Sequence, residues 1–194
     1  RYIDSIRILA AEKLGVEHRA EFYDSAGVLR DMFQNHMMQL LALCAMEPPS
    51  LFEADLVRDE KAKVYRSIRP FDPKRLHKDL ILGQYSSGSV GDAKVPSYLD
   101  EPGVAPDSIT PTFASLKLFI DNWRWQGVPF FITSGKRMME KRTEITVTFK
   151  PVPHTMFRNL LGESITANRL TLFGVAGMYL LMNAPFMALM QLLI

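Results

Sequence analysis

The 194 residues carry 23 Lys and Arg against 21 Asp and Glu, a formal net charge of +2, with 47% hydrophobic and 23% charged residues. That balance argues for a folded, intracellular domain with a real core, and gives no reason to expect nucleic acid or an anionic membrane as the main partner. One cysteine, Cys44, excludes a disulfide framework and a cysteine-rich zinc site, and His18, His36, His77 and His154 lack ligand-type spacing.

The chain opens on Arg1 with no charged-then-apolar leader behind it, and is expected to start inside a longer protein. Ile6, Ile8 and Ala10 alternate with Arg7, Leu9 and Ala11, which predicts a strand ending at Glu12. A carboxylate at a strand end can face a cleft; it can equally face solvent beside Lys13. Asp24 to Met46 is then predicted as one long helix, capped by Asp24 or Ser25 and closed by Glu47, Pro48 and Pro49. Its apolar positions Leu29, Phe33, Leu40 and Leu43 share a helical face with His36, so this histidine is expected to point inward. Two readings stay open: a satisfied core histidine, or a proton acceptor on the floor of a cleft, with Asp31 available to bond a hydroxyl of the same substrate.

Ser50 and Glu53 fit a capping box, predicting a second helix that runs past Val57 to Ile68, with a mixed-charge outer face. Leu80 to Tyr85 is expected as a short strand, Ser86 to Ser97 as a loop, and Pro102 to Pro111 as a second Gly/Pro-rich stretch. The clearest sheet signal follows: alternating strands over Phe113 to Trp125, Phe130 to Thr133 and Thr143 to Phe149. Short connections between them predict an antiparallel sheet. Helices early and strands late make the fold class α+β, a large antiparallel sheet with helices packed on one face. The basic run from Ser134 to Arg142 holds Lys136, Arg137, Lys141 and Arg142, which can meet a phosphate or sugar hydroxyls or simply be solvated. Neither glycine-rich phosphate cradle is present, nor a G-x-S-x-G elbow, nor H-E-x-x-H.

The run Tyr23-Asp24-Ser25-Ala26-Gly27-Val28-Leu29-Arg30-Asp31-Met32-Phe33-Gln34-Asn35-His36 resembles the D-x-x-G-x-x-R-D-x-x-Q-N-H motif of glucose-6-phosphate dehydrogenases. Further blocks agree with that family in the expected order. They include Val57-Arg58-Asp59-Glu60-Lys61, Leu82-Gly83-Gln84-Tyr85, Tyr98-Leu99-Asp100, Thr112-Phe113-Ala114, Arg124-Trp125-Gln126-Gly127-Val128-Pro129-Phe130 and Gly135-Lys136.

The resemblance implies a cytoplasmic enzyme that oxidises glucose 6-phosphate to its lactone with NADP, the first step of the pentose phosphate pathway. By the same resemblance His36 is the proton acceptor, and Glu12, Asp31, Lys136 and Lys141 bind substrate. The NADP site is implied to lie in an N-terminal domain outside this chain. Residues 1–172 are thus expected to form part of a substrate and dimerisation domain of a two-domain dehydrogenase, inactive alone and pairing through its sheet. From Leu170 to Ile194 no residue is charged, a length that meets the usual criterion for a membrane-spanning helix, though Gly174, Gly177, Asn183 and Pro185 interrupt it. Residues 173–194 are expected to be an apolar tail departing from the family pattern, with membrane association not expected. The alternative reading is a non-catalytic sugar-phosphate-binding or interaction module, membrane-tethered by that tail.

Overall fold

In the computed structural model, which describes residues 2–151 and 167–173, one strand organises the rest. This is β1 (Ile3–Ala11), followed in chain order by α1 (Ala20–Val28), a π-helix (Leu29–Met37), α2 (Met38–Ala45), α3 (Ala54–Arg66), β2 (Leu80–Gly83), β3 (Gly88–Val90), β4 (Ala93–Val95), β5 (Phe113–Phe119), β6 (Pro129–Gly135), β7 (Arg142–Phe149) and β8 (Arg169–Phe173). The main sheet has six strands in the order β2-β5-β6-β1-β7-β8, and β3 with β4 forms a separate small hairpin.

The α+β class holds, but the expected run of three adjacent antiparallel strands does not. β5 and β6 pair antiparallel, whereas β1 inserts between β6 and β7, parallel to the first and antiparallel to the second. Only Asp4 and Arg7 of β1 are exposed, so the strand is apolar enough for a central place. Ile6, Ile8, Phe130, Ile132, Ile145 and Val147 point to one face, where they share a core with Tyr23, Val28, Phe33, Met37, Leu40 and Leu41 from the helical layer. The helices thus cover one face. Arg7, Lys117 and Phe131 occupy the other, with the Arg7 guanidinium 5.4 Å from the Phe131 ring centre.

The single long helix expected from Asp24 to Met46 is three segments. Helix begins at Ala20, before the proposed caps, and breaks at Gly27, whose φ of 63° and ψ of 175° are open essentially to glycine alone. At this break the Val28 N–H leaves the ladder and donates to the Pro111 carbonyl at 2.9 Å. Asp24 caps nothing; its carboxylate accepts from Tyr98 Oη at 2.7 Å and from Ser108 Oγ, while its carbonyl accepts from Thr110 Oγ1 at 2.6 Å. The Gly/Pro-rich stretch is thereby tied to the helix. The stop at Pro48 and Pro49 holds, with Met46 already extended at ψ 157°.

The Ser50–Glu53 capping box does not form: Glu53 is itself the N-cap of α3 and makes no side-chain cap bond. Nor does helix reach Ile68, which instead bridges to Ile120 beside the sheet. The predicted loop 86–97 contains the small hairpin, turned at Gly91 with φ 63°. Burial pushes the Cys44 thiol up to about 12. Among the described residues no helix is long and apolar enough to cross a membrane. The apolar tail lies outside the described residues except for Phe173, which ends β8.

Two stability predictions follow from these tethers. Gly27→Ala places a methyl 3.1 Å from Thr110 Cγ2 on a backbone closed to alanine, and is expected to cost about 1–3 kcal/mol in urea unfolding. Hydrogen bonding by Ser108, reinforced by Tyr98 and Thr110, holds the Asp24 carboxyl below its ordinary value, against the opposing effect of its partial burial. A carboxyl lowered on folding stabilises the fold fully above its unfolded pKa, and that contribution is lost as pH falls through the folded value. Asp24→Asn should therefore lower stability by about 1–2 kcal/mol at pH 7 and progressively less in acid, read from urea midpoints across pH.

Candidate functional site

Parallel pairing of β1 with β6 brings the ends of both strands together, with Ala11 opposite Gly135. The turn 136–141 then arches over the end of β1 on its way to β7. Glu12 N–H donates to the Gly135 carbonyl at 2.9 Å, and Met138 N–H donates back to the Glu12 carbonyl at 2.9 Å. In this corner Lys136 Nζ donates to Glu12 Oε2 at 2.5 Å, across 124 residues of sequence.

A cavity of about 250 Å³ opens there. Glu12, Lys136 and Lys141 all line it, so three of the five residues singled out from sequence meet in one hollow. Asp31 lies beside it: Arg19, which lines the cavity, reaches the Asp31 carboxylate at 3.5 Å. The floor includes Tyr23, fully buried, with Lys136 Nζ 5.1 Å from its ring centre. Burial, and next the charge of Asp31, push the Tyr23 phenol well above its ordinary value, and its hydroxyl has no hydrogen-bond partner among the described residues. Tyr23 stays neutral at any physiological pH, a donor rather than an anion.

His36 is the exception. It does not line this cavity, and it is exposed rather than inward-facing. The reason lies in the π-helix, nine residues from Leu29 to Met37, at whose end Met38 N–H reaches back to the Phe33 carbonyl five residues earlier. The wider turn carries His36 further round from the face on which Phe33 and Met37 are buried, and His36 is exposed. The same winding sets Asp31 and His36 nearer to one side. In an α-helix, residues five apart are offset by about 140°, whereas the i to i+5 bonding of a π-helix stacks them more closely.

Sequence reasoning missed Lys13, Gly15, Arg19 and Tyr23 as cavity residues. It also missed the group that braces the wall. Arg137, read only as one cation of a basic run, turns away from the cavity to Glu101 and Glu17, at 3.0 and 3.4 Å. Gly15 leaves room for it: a β-carbon there would sit 2.6 Å from Arg137 Nε. Among the described residues no group of three or more His, Cys, Asp or Glu is placed to hold a metal.

These features define an α+β domain whose cavity gathers carboxylates and ammonium groups, a donor and acceptor set suited to polar, anionic ligands. The family model described as glucose-6-phosphate dehydrogenase, C-terminal domain, matches residues 1–184, and the chain belongs to that family. It is 50% identical over 157 residues to the glucose-6-phosphate 1-dehydrogenase of Bacillus subtilis (strain 168), covering 81% of this chain and 32% of the relative. Against the enzyme of the same name from Zymomonas mobilis the identity is 50% over 155 residues, covering 80% and 32%. A solved structure of glucose-6-phosphate dehydrogenase in complex with its substrate glucose-6-phosphate superposes with a TM-score of 0.76 at 40% identity, covering 89% of this chain and 33% of that one. That of glucose-6-phosphate 1-dehydrogenase from Mycobacterium avium gives a TM-score of 0.75, also at 40% identity, covering 89% and 35%. The chain spans about a third of the length of the curated relatives it matches.

Proposed function

We propose that this chain is the sugar-phosphate-binding part of a cytoplasmic dehydrogenase that oxidises glucose 6-phosphate to its lactone with NADP. The observation that carries the reading is the convergence of Glu12, Lys136 and Lys141 on one sugar-sized cavity in a member of this family. Glu12 and Asp31 accept hydrogen bonds from the sugar hydroxyls and fix the ring, and Lys136 and Lys141 donate to substrate oxygens from the basic turn. His36 takes the proton of the C1 hydroxyl as that carbon becomes the lactone carbonyl. An exposed imidazole suits this role, since a base must be reached by the hydroxyl it deprotonates.

NADP, when bound, would supply the hydride acceptor for this oxidation. The chain has neither glycine-rich phosphate cradle, so none of its residues is assigned to the coenzyme, and the 194-residue chain alone should turn over nothing. Two copies pair through the sheet face that no described helix covers, on which Arg7, Lys117 and Phe131 lie.

In the full-length protein, His36→Asn should lower kcat by about 100-fold or more with KM for glucose 6-phosphate little changed, while Lys136→Ala should raise KM by about tenfold or more. An unchanged kcat in the first variant refutes the proton-acceptor role; an unchanged KM in the second refutes the substrate site. Phe131→Glu should shift the size-exclusion profile toward monomer, and an unshifted profile refutes pairing through that face.

A further inference from the structure

Of the two cations that are neighbours at the start of the basic turn, one enters the cavity and the other leaves it. Lys136 extends over Tyr23 to Glu12, while the Arg137 side chain folds behind the cavity wall and is almost as deeply covered, at 13% exposure against 10%. Its guanidinium bonds to Glu101, itself 7% exposed, and reaches Glu17. Glu101 also accepts from Tyr85 Oη at 2.9 Å, and that oxygen in turn accepts from Val16 N–H at 3.3 Å. One fork, buried on its Glu101 arm and open to solvent at Glu17, therefore joins the basic turn, the wall formed by Gly15 to Glu17, and the segment around Glu101. Burial works against the Arg137 charge, but hydrogen bonding to Glu101 and the charges of Glu101 and Glu17 outweigh it and hold the group above its ordinary value.

The backbone repeats the pattern. Arg137 has φ 55°, a left-handed conformation costly for any residue but glycine, and nothing local to its own side chain stabilises it. It is held by its N–H donating to the Leu14 carbonyl at 3.1 Å, with Lys136 N–H on the Thr112 carbonyl at 3.0 Å. A residue in that conformation reverses the direction of the chain, which is how adjacent side chains come to point to opposite sides of the wall. No direct contact between Arg137 and a ligand in the cavity is required for it to matter.

We propose that Arg137 is the positioning residue of this pocket: its guanidinium, clamped by Glu101 and Glu17 against Gly15, fixes the turn that aims Lys136 at the substrate. The inference rests on the reading of the cavity as the glucose 6-phosphate site. It differs from that reading in assigning a role to a residue that does not line the cavity at all.

The test is a double-mutant cycle in the full-length protein, following kcat, KM for glucose 6-phosphate, KM for the coenzyme and the melting temperature. Arg137→Met should raise KM for the sugar phosphate by about tenfold while leaving KM for the coenzyme within about twofold, and Arg137→Lys should recover part of the loss. Because Arg137 acts through Lys136, adding Arg137→Met to Lys136→Ala should raise KM by less than about twofold further. A merely structural arginine would multiply its effect into the Lys136→Ala background, and that outcome overturns the proposal, as does an unchanged KM in Arg137→Met. If Lys136→Ala itself leaves KM unchanged, the substrate-site reading falls and the proposal with it; if Lys136→Ala raises KM and Arg137→Met does not, only the positioning role falls. Removing the guanidinium strands a buried Glu101, so Arg137→Met combined with Glu101→Gln provides a charge-balanced second variant judged by the same cycle. Should neither fold, Arg137→Lys with wild-type KM overturns the proposal.

Discussion

Everything at the candidate site depends on β1 lying between β6 and β7. Had the last strands simply followed one another as neighbours, the turn 136–141 would be an ordinary connection at the sheet edge. With β1 inserted, the turn must straddle the end of that strand, and the residue after the strand, Glu12, is stitched to it from both sides by backbone hydrogen bonds. The Lys136–Glu12 contact, between a largely buried ammonium and a part-exposed carboxylate, thus follows from strand order. The burial of Ile6, Ile8 and Ala10 drives the insertion, so the same apolar face that builds the core delivers the acid to the cavity.

How much of this was legible in the sequence follows from the range of the interactions involved. Period-two alternation located β1, β5 and β7, and the turn at Gln126 and Gly127 located β6, because these are properties of each segment alone. Which strands are neighbours is not: the pairing of Ile6 with Phe130 spans most of the chain, and the default of pairing consecutive strands failed at the one place where it mattered. Likewise Pro48 and Pro49 stop a helix by local sterics and were read correctly. Asp24 had the chemistry of a cap, yet Tyr98 and Ser108, distant in sequence, donate to its carboxylate instead. The site residues Glu12, Lys136 and Lys141 came from family likeness to a long-range arrangement; no local pattern points from one to another.

The cavity wall illustrates how buried charge can specify shape. Glu101 and Arg137 are both largely removed from water, a cost that their mutual attraction offsets only with good geometry, so the pair is weak evidence of net stabilisation. Here the fit is close, since Gly15 must lack a side chain for the guanidinium to lie where it does, and it is incomplete, since Arg137 Nε is buried with no hydrogen-bond partner among the described residues. The T-shaped packing of Tyr85 and Tyr23 on Tyr98 extends the same constraint from the wall to the floor. A pocket assembled from loops, which are ordinarily the mobile parts of a fold, thereby acquires a cross-braced frame.

The π-helix resolves what would otherwise be a conflict between packing and access on the segment that carries Asp31 and His36. Helical winding at 3.6 residues per turn would align position 36 with Phe33 and Leu40, burying the imidazole under the sheet. Each wider turn costs some hydrogen-bond quality, and such stretches are usually a single turn; this one extends over nine residues. The burial pattern shows the outcome: Phe33, Met37 and Leu40 are buried, and His36 is exposed. A glycine break at the start of the segment, at Gly27, lets the helix change its winding without dragging α1 with it. The apolar stripe read from the sequence is therefore real, with Phe33 and Leu40 buried and Leu29 and Leu43 packed against the core, and the histidine placed among them is the member that leaves it for solvent.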